Sequence, residues 1–83
     1  MRKKVYVAVK TEFTPEGEII PLSIKWADGN QYIIDKVMAV ERRASLKVGG
    51  AGIRYTCRIQ GETTYLFLEE NRWFVEAKYK EEL

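Results

Sequence analysis

Eighty-three residues make one domain, and a chain of that length buries roughly 60–65% of its unfolded surface, enough for a single modest core. With 46% hydrophobic and 31% charged residues the composition excludes a disordered chain, and no apolar run approaches the ~20 residues of a membrane span. A net charge of +2 does not by itself argue for a nucleic-acid partner, the single cysteine excludes an internal disulfide, and the absence of histidine removes the commonest general base and metal ligand.

Turn signals recur about every ten residues, and the segments between them alternate apolar and polar positions, the pattern of an antiparallel sheet. The first strand is expected over about Lys4–Phe13, with Val5, Val7 and Val9 on one face and Tyr6, Ala8 and Lys10 on the other. Its basic-then-apolar opening is shaped like a signal peptide. The apolar part stops at Lys10 with no small-residue cleavage site after it, so it reads as a strand. Thr14-Pro15-Glu16-Gly17 is a turn, with proline pre-setting φ and glycine accepting a positive one.

The second strand spans about Glu18–Trp26, with Ile20, Leu22, Ile24 and Trp26 on one parity. Pro21 cannot donate to a ladder, which places an edge or bulge there. Ala27-Asp28-Gly29-Asn30 signals a tight primed hairpin turn. The third strand, about Gln31–Arg42, changes parity between Tyr32/Ile34 and Val37/Ala39, so a bulge or bend is expected near Asp35-Lys36. Residues 44–52 form a glycine-rich loop. The fourth strand, Ile53–Ile59, turns Ile53, Tyr55, Cys57 and Ile59 one way and Arg54, Thr56 and Arg58 the other.

A turn at Gln60-Gly61-Glu62 leads to the fifth strand, Thr63–Leu68, whose run Tyr65-Leu66-Phe67-Leu68 suits a strand covered on both faces. A second turn at Glu69–Arg72 leads to the sixth, Trp73–Tyr79, with Trp73, Val75 and Ala77 inward. The last four residues are expected to fray or add a helical turn. Connections this short exclude parallel crossovers. The fold class is therefore all-β: a small antiparallel six-strand meander curling into a partly open, SH3-like barrel, with a two-sheet sandwich as the alternative.

Few residues offer chemistry. Cys57 lies on core parity and reads as a small hydrophobe. Asp35 falls at the strand bend, where its carboxylate would cap backbone N–H groups rather than serve as an acid or base. The run Val48–Gly52 leads into a strand, not a helix, so it lacks the anion site that a phosphate loop needs. Gly49, Gly50 and Gly52 would instead let a partner approach the backbone. Arg42-Arg43-Ala44-Ser45 matches a short basic-directed phosphorylation pattern on Ser45. A non-catalytic chain without cofactor or metal is the expectation.

Charge is unevenly spread. Residues 36–60 hold Lys36, Arg42, Arg43, Lys47, Arg54 and Arg58 against Glu41 alone, a balance of +5; eight basic and eleven acidic side chains elsewhere leave −3. Arg42, Arg43, Lys47, Arg54 and Arg58 are thus the candidate nucleic-acid contacts, with Tyr6 and Phe74 as candidate exposed rings. The competing expectation is a solvated face in which Glu62 and Glu76 pair with these cations. A different function, contact with another protein or a second copy, would use an edge strand or a mixed face of Ile19, Pro21 and Phe74. No membrane partner is expected, and the lone thiol makes the cytoplasm the default location.

The segments Pro21-Leu-Ser-Ile-Lys-Trp-Ala-Asp-Gly29, Tyr32-Ile-Ile-Asp-Lys-Val37, Gly49-Gly-Ala-Gly-Ile-Arg-Tyr-Thr-Cys57, Tyr65-Leu-Phe67 and Arg72-Trp-Phe-Val-Glu76 resemble, in kind and order, a group of short bacterial proteins of unknown function found in Firmicutes. The resemblance covers about two thirds of the chain. It implies a stand-alone bacterial cytoplasmic domain and supplies no catalytic or ligand residue.

Overall fold

The structure, a computed structural model, describes residues 2–44 and 51–78. The expectations for Lys47, Ser45, most of the glycine-rich loop and the last four residues lie outside the described residues. Eight strands follow one another: β1 (Arg2–Tyr6), β2 (Ala8–Phe13), β3 (Ile19–Lys25), β4 (Gln31–Ile33), β5 (Lys36–Ala44), β6 (Ala51–Ile59), β7 (Glu62–Glu69) and β8 (Arg72–Lys78). They form two antiparallel sheets, one of five strands in the order β1-β8-β7-β6-β5 and one of three in the order β2-β3-β4. The sheets do not close into a barrel, and a two-sheet sandwich is the arrangement consistent with them. Among the described residues no helix is long and apolar enough to cross a membrane.

Two of the six segments read from the sequence each divide between the sheets. The first passes from β1 to β2 at Val7, whose N–H donates to the Trp73 carbonyl at 3.1 Å. The third passes from β4 to β5 at Ile34-Asp35. There the Ile34 N–H reaches Leu22 O in the small sheet and the Asp35 N–H reaches Arg58 O in the large one, both at 2.9 Å. Strands that change sheet in this way make the corners of a packed pair. The bend expected near Asp35 is therefore present. Its carboxylate is exposed, and backbone bonds hold the corner instead of a side-chain cap.

Two single-residue insertions set which side chains face inward. The β2–β3 register shifts between Lys10 and Thr11, opposite Leu22, so Pro21 and Ile24 are buried while Leu22 is 44% exposed. Strict alternation would have buried Leu22. The β5–β6 register shifts between Val37 and Ala39, which places Val40 rather than Ala39 opposite Tyr55. An extra residue on one strand inverts the parity of everything beyond it.

The turns follow their residue chemistry. At Thr14–Gly17 and Trp26–Gly29 the glycine N–H returns to the first carbonyl at 2.9 Å, and the glycines take φ of +90° and +92°. These are type I turns with a glycine bulge, so the Asp28-Gly29 hairpin is not the two-residue primed turn expected from sequence. Asp28 instead accepts from the Asn30 N–H at 2.9 Å. The primed geometry occurs at Gln60-Gly61 and Glu70-Asn71, where both central residues have positive φ.

The core lies between the sheets and consists of Ile24, Ile34, Tyr55, Cys57, Leu66 and Val75, flanked by Val5, Val7, Val9, Trp26, Ile53 and Trp73. The expected inward rows of the first, fourth and sixth segments are thus in place at every described side chain. Tyr55 spans the core, its hydroxyl donating to Ile19 O at 2.7 Å and its ring 5.4 Å from that of Trp73. Burial raises its phenol pKa, against the opposing effect of nearby Arg42.

Cys57 is fully buried, and that burial pushes its thiol pKa up to about 11. An unfolded thiol ionises near 8.5. The stability linked to Cys57 is therefore complete below about pH 8.5 and is lost as pH climbs toward 11. Urea unfolding should show a fall in stability between pH 8 and 10.5 that is larger in the native chain than in Cys57→Ala. A thiol reagent at pH 8 should label Cys57 only as fast as the chain unfolds. Equal pH dependence in the two chains, with rapid native labelling, would contradict this placement.

Candidate functional site

The face of the five-stranded sheet that points away from the small sheet is set by register. Arg54, Thr56 and Arg58 of β6 stand opposite Phe67, Tyr65 and Thr63 of β7 and, on the other side, opposite Glu41, Ala39 and Lys36 of β5. Phe67 faces Phe74 of β8, and Phe74 faces Tyr6 of β1. The outer face therefore carries four rings, Tyr6, Phe74, Phe67 and Tyr65, interleaved with Lys4, Arg72, Arg54, Arg58 and Lys36. Its described acids are Glu41, Glu69 and Glu76.

The rings form a connected layer. Phe67 and Phe74 stack with centroids 5.0 Å apart, and Tyr6 meets Phe74 edge-on at 5.6 Å. Three cations lie on them: Arg72 is 3.8 Å from the Tyr6 centroid, Lys4 is 4.7 Å from Phe74, and Arg54 is 4.8 Å from Tyr65. Such contacts contribute about 0.5–1 kcal/mol each at exposed sites. Tyr6 and Tyr65 remain 46% and 43% exposed; Phe74, beneath its neighbours, is only 2% exposed. Of the two rings expected at the surface, Tyr6 is there and Phe74 is not.

The basic set divides. Arg54 and Arg58 share the outer face, as alternation required. Arg54 is held by Glu41, with Nη2 2.6 Å from Oε1, and its Nε is buried without a partner. The acid that pairs with it is the one inside the basic stretch, not Glu62 or Glu76. Arg58 is exposed opposite Lys36. Arg42 lies on the other face, because the β5 bulge sets it opposite Ile53; there it lines an opening of about 420 Å³ with Glu18, Ile19, Pro21 and Tyr55. Arg43 pairs in register with Gly52, and its side chain, like Lys47, lies outside the description.

The expected protein-contact face of Ile19, Pro21 and Phe74 does not exist. Pro21 is buried by the β3 bulge, Ile19 is half-buried beside Tyr55, and Phe74 lies under the ring layer of the other sheet. Gly52 does not admit an outside partner either. Glu69 lies across it, so that a Cβ on Gly52 would stand 2.8 Å from Glu69 Cγ, and Lys4 approaches the Glu69 carboxylate at 3.6 Å.

A second feature escapes period-two reading. The β7–β8 ladder runs only from Glu69↔Arg72 to Phe67↔Phe74, after which the strands separate. A cleft of about 660 Å³ opens between them, floored by Ile24, Trp26, Tyr32 and Val75 and walled by Tyr65, Phe67, Glu62 and Glu76. The sequence carries a signal for the ring layer, since Lys4/Tyr6 and Arg72/Phe74 each put a cation and a ring two apart on one strand face. For the cleft it carries none. Among the described residues no group of three or more Asp, Glu or Cys could hold a metal ion. No protein-family model matches the chain, and neither does any curated protein or solved structure.

The Gly52–Glu69 contact is directly testable. Gly52→Ala should destabilise the chain by about 1 kcal/mol, because Glu69 must leave its place on the outer face. In a Glu69→Ala background that cost should vanish, a coupling that urea titration of the four chains would measure. Additive effects would mean that Glu69 does not occupy the space over Gly52.

Proposed function

We propose that the chain is a non-catalytic binding module, working in the cytoplasm, that contacts single-stranded nucleic acid through the outer face of its five-stranded sheet. The observation that carries this reading is the row of three ring–cation pairs on a sheet face that no other described element covers. Single strands are held where cations follow phosphates and rings stack on bases. Tyr6 and Tyr65 offer exposed rings, and Arg72 can leave the Tyr6 face for phosphate as a base takes its place. Arg58 and Lys36 extend the basic track across β6 and β5. Arg42, on the opposite face, takes no part.

A second reading, contact with another protein or a second copy, is favoured by Ile33 and Leu22. They are 70% and 44% exposed on the adjacent strands β4 and β3, and β4 is an edge. Sedimentation across a concentration range tests the second-copy form of this reading, since self-association depends on protein concentration alone.

Amide shifts followed during titration with a short single-stranded oligonucleotide test the proposal. The expected dissociation constant is on the order of 10⁻⁴–10⁻⁶ M, weakening steeply with salt. The shifts should fall on Tyr6, Arg54, Arg58, Tyr65 and Arg72 and spare Arg42. Tyr65→Ala should cost about 1–3 kcal/mol of binding with little change in salt slope. Arg58→Ala should lower that slope by about one unit. Absence of shifts on this face at low salt, or shifts centred on Arg42, would overturn the proposal.

A further inference from the structure

We infer that the cleft between β7 and β8 is a binding site for an organic cation, an ammonium group bearing apolar substituents. Two independent properties converge there. First, four rings line it: Trp26 and Tyr32 from the small sheet, Tyr65 and Phe67 from β7. Second, its lining charges are all of one sign. Glu62 and Glu76 are carboxylates, and none of its described lining residues is Lys or Arg. Aromatic faces and carboxylates together attract a cation, and rings favour one whose charge is spread over methyl or methylene groups.

Among the described residues no cation pairs with these acids. Lys4 stands opposite Glu76 in the β1–β8 register, yet its ammonium turns to Glu69 at 3.6 Å and lies over Phe74 at 4.7 Å. Arg54, the cation on Tyr65, is committed to Glu41 on the far side of that ring from the cleft walls of β8. At about 660 Å³ the cleft falls within the range of small-molecule sites. Backbone groups add polar contacts. Hydrogen-bonded positions alternate along an antiparallel ladder, so with the ladder ended at Phe67↔Phe74 the main-chain groups of Tyr65 and Glu76 face the gap with no partner strand. This site adjoins the face proposed above and shares Tyr65 with it, but its carboxylates would repel a nucleic-acid backbone.

Titration with choline and with its neutral isostere 3,3-dimethylbutan-1-ol, read from the Trp26 indole N–H and the Tyr65 and Glu76 amides, tests the inference. Choline should shift these signals and bind at least about fivefold more tightly than the alcohol. In Glu62→Gln/Glu76→Gln, both exposed changes that leave the core intact, choline binding should weaken about fivefold while that of the alcohol stays unchanged. A short peptide carrying trimethyllysine separates the two sources of such a group. A free cation as the natural ligand predicts the same shifts and affinity with peptide as with choline; a peptide side chain predicts tighter binding, with added shifts along Thr63–Tyr65. Equal binding of choline and alcohol, or no shift with choline in the tens of millimolar, would overturn the site.

Discussion

Everything in this structure depends on the two places where the chain crosses from one sheet to the other. At Val7 and at Ile34-Asp35 one continuous segment serves both. The backbone bonds Val7 N–H to Trp73 O and Asp35 N–H to Arg58 O carry the hydrogen-bond pattern across the corners. With the corners fixed, Ile24 and Ile34 of the small sheet side meet Tyr55, Cys57, Leu66 and Val75 of the large one. Burial of those side chains is the main favourable term in a core this small. The Tyr55 hydroxyl, bonded to Ile19 O, adds a directional tie across the same space.

What the sequence made legible was the part governed by period-two alternation and turn chemistry. The inward rows at Val5–Val9, Ile53–Ile59 and Trp73–Val75 and the turns at Thr14–Gly17 and Gln60-Gly61 follow from residue type alone. So does the shared outward direction of Arg54 and Arg58. The insertions opposite Lys10/Thr11 and between Val37 and Ala39 were not legible in the same detail. A one-residue insertion changes the face of every following side chain, and its position depends on cross-strand fit. That is why Leu22 is exposed, why Pro21 leaves the surface, and why Arg42 separates from Arg54 and Arg58. The division of long segments at the corners is likewise a tertiary effect, since neither half carries a breaking residue at Val7.

The candidate surfaces follow from the same geometry. Among the described residues nothing covers the outer face of the large sheet, since the small sheet lies on the inner side. Its rings are stabilised by one another and by Lys4, Arg54 and Arg72 instead of by a second layer. The cleft arises because β8 is drawn toward β1 at one side, over five residue pairs, while β7 stays with β6 over eight. Only three pairs remain to join β7 to β8. The basic, ring-bearing surface and the acidic, ring-lined cleft thus adjoin, with Tyr65, Phe67 and Glu76 at their shared border.

Amide hydrogen exchange tests the corner-and-gap account most directly, because it reads single backbone groups. The Val7 and Asp35 amides should exchange as slowly as those of the core strands, opening only with the whole domain, while the Tyr65 and Glu76 amides should exchange faster than the paired Phe67 and Phe74. Fast exchange at Val7 and Asp35, or full protection at Tyr65 and Glu76, would mean that the two sheets are joined in some other way and that the strands do not part where the cleft requires.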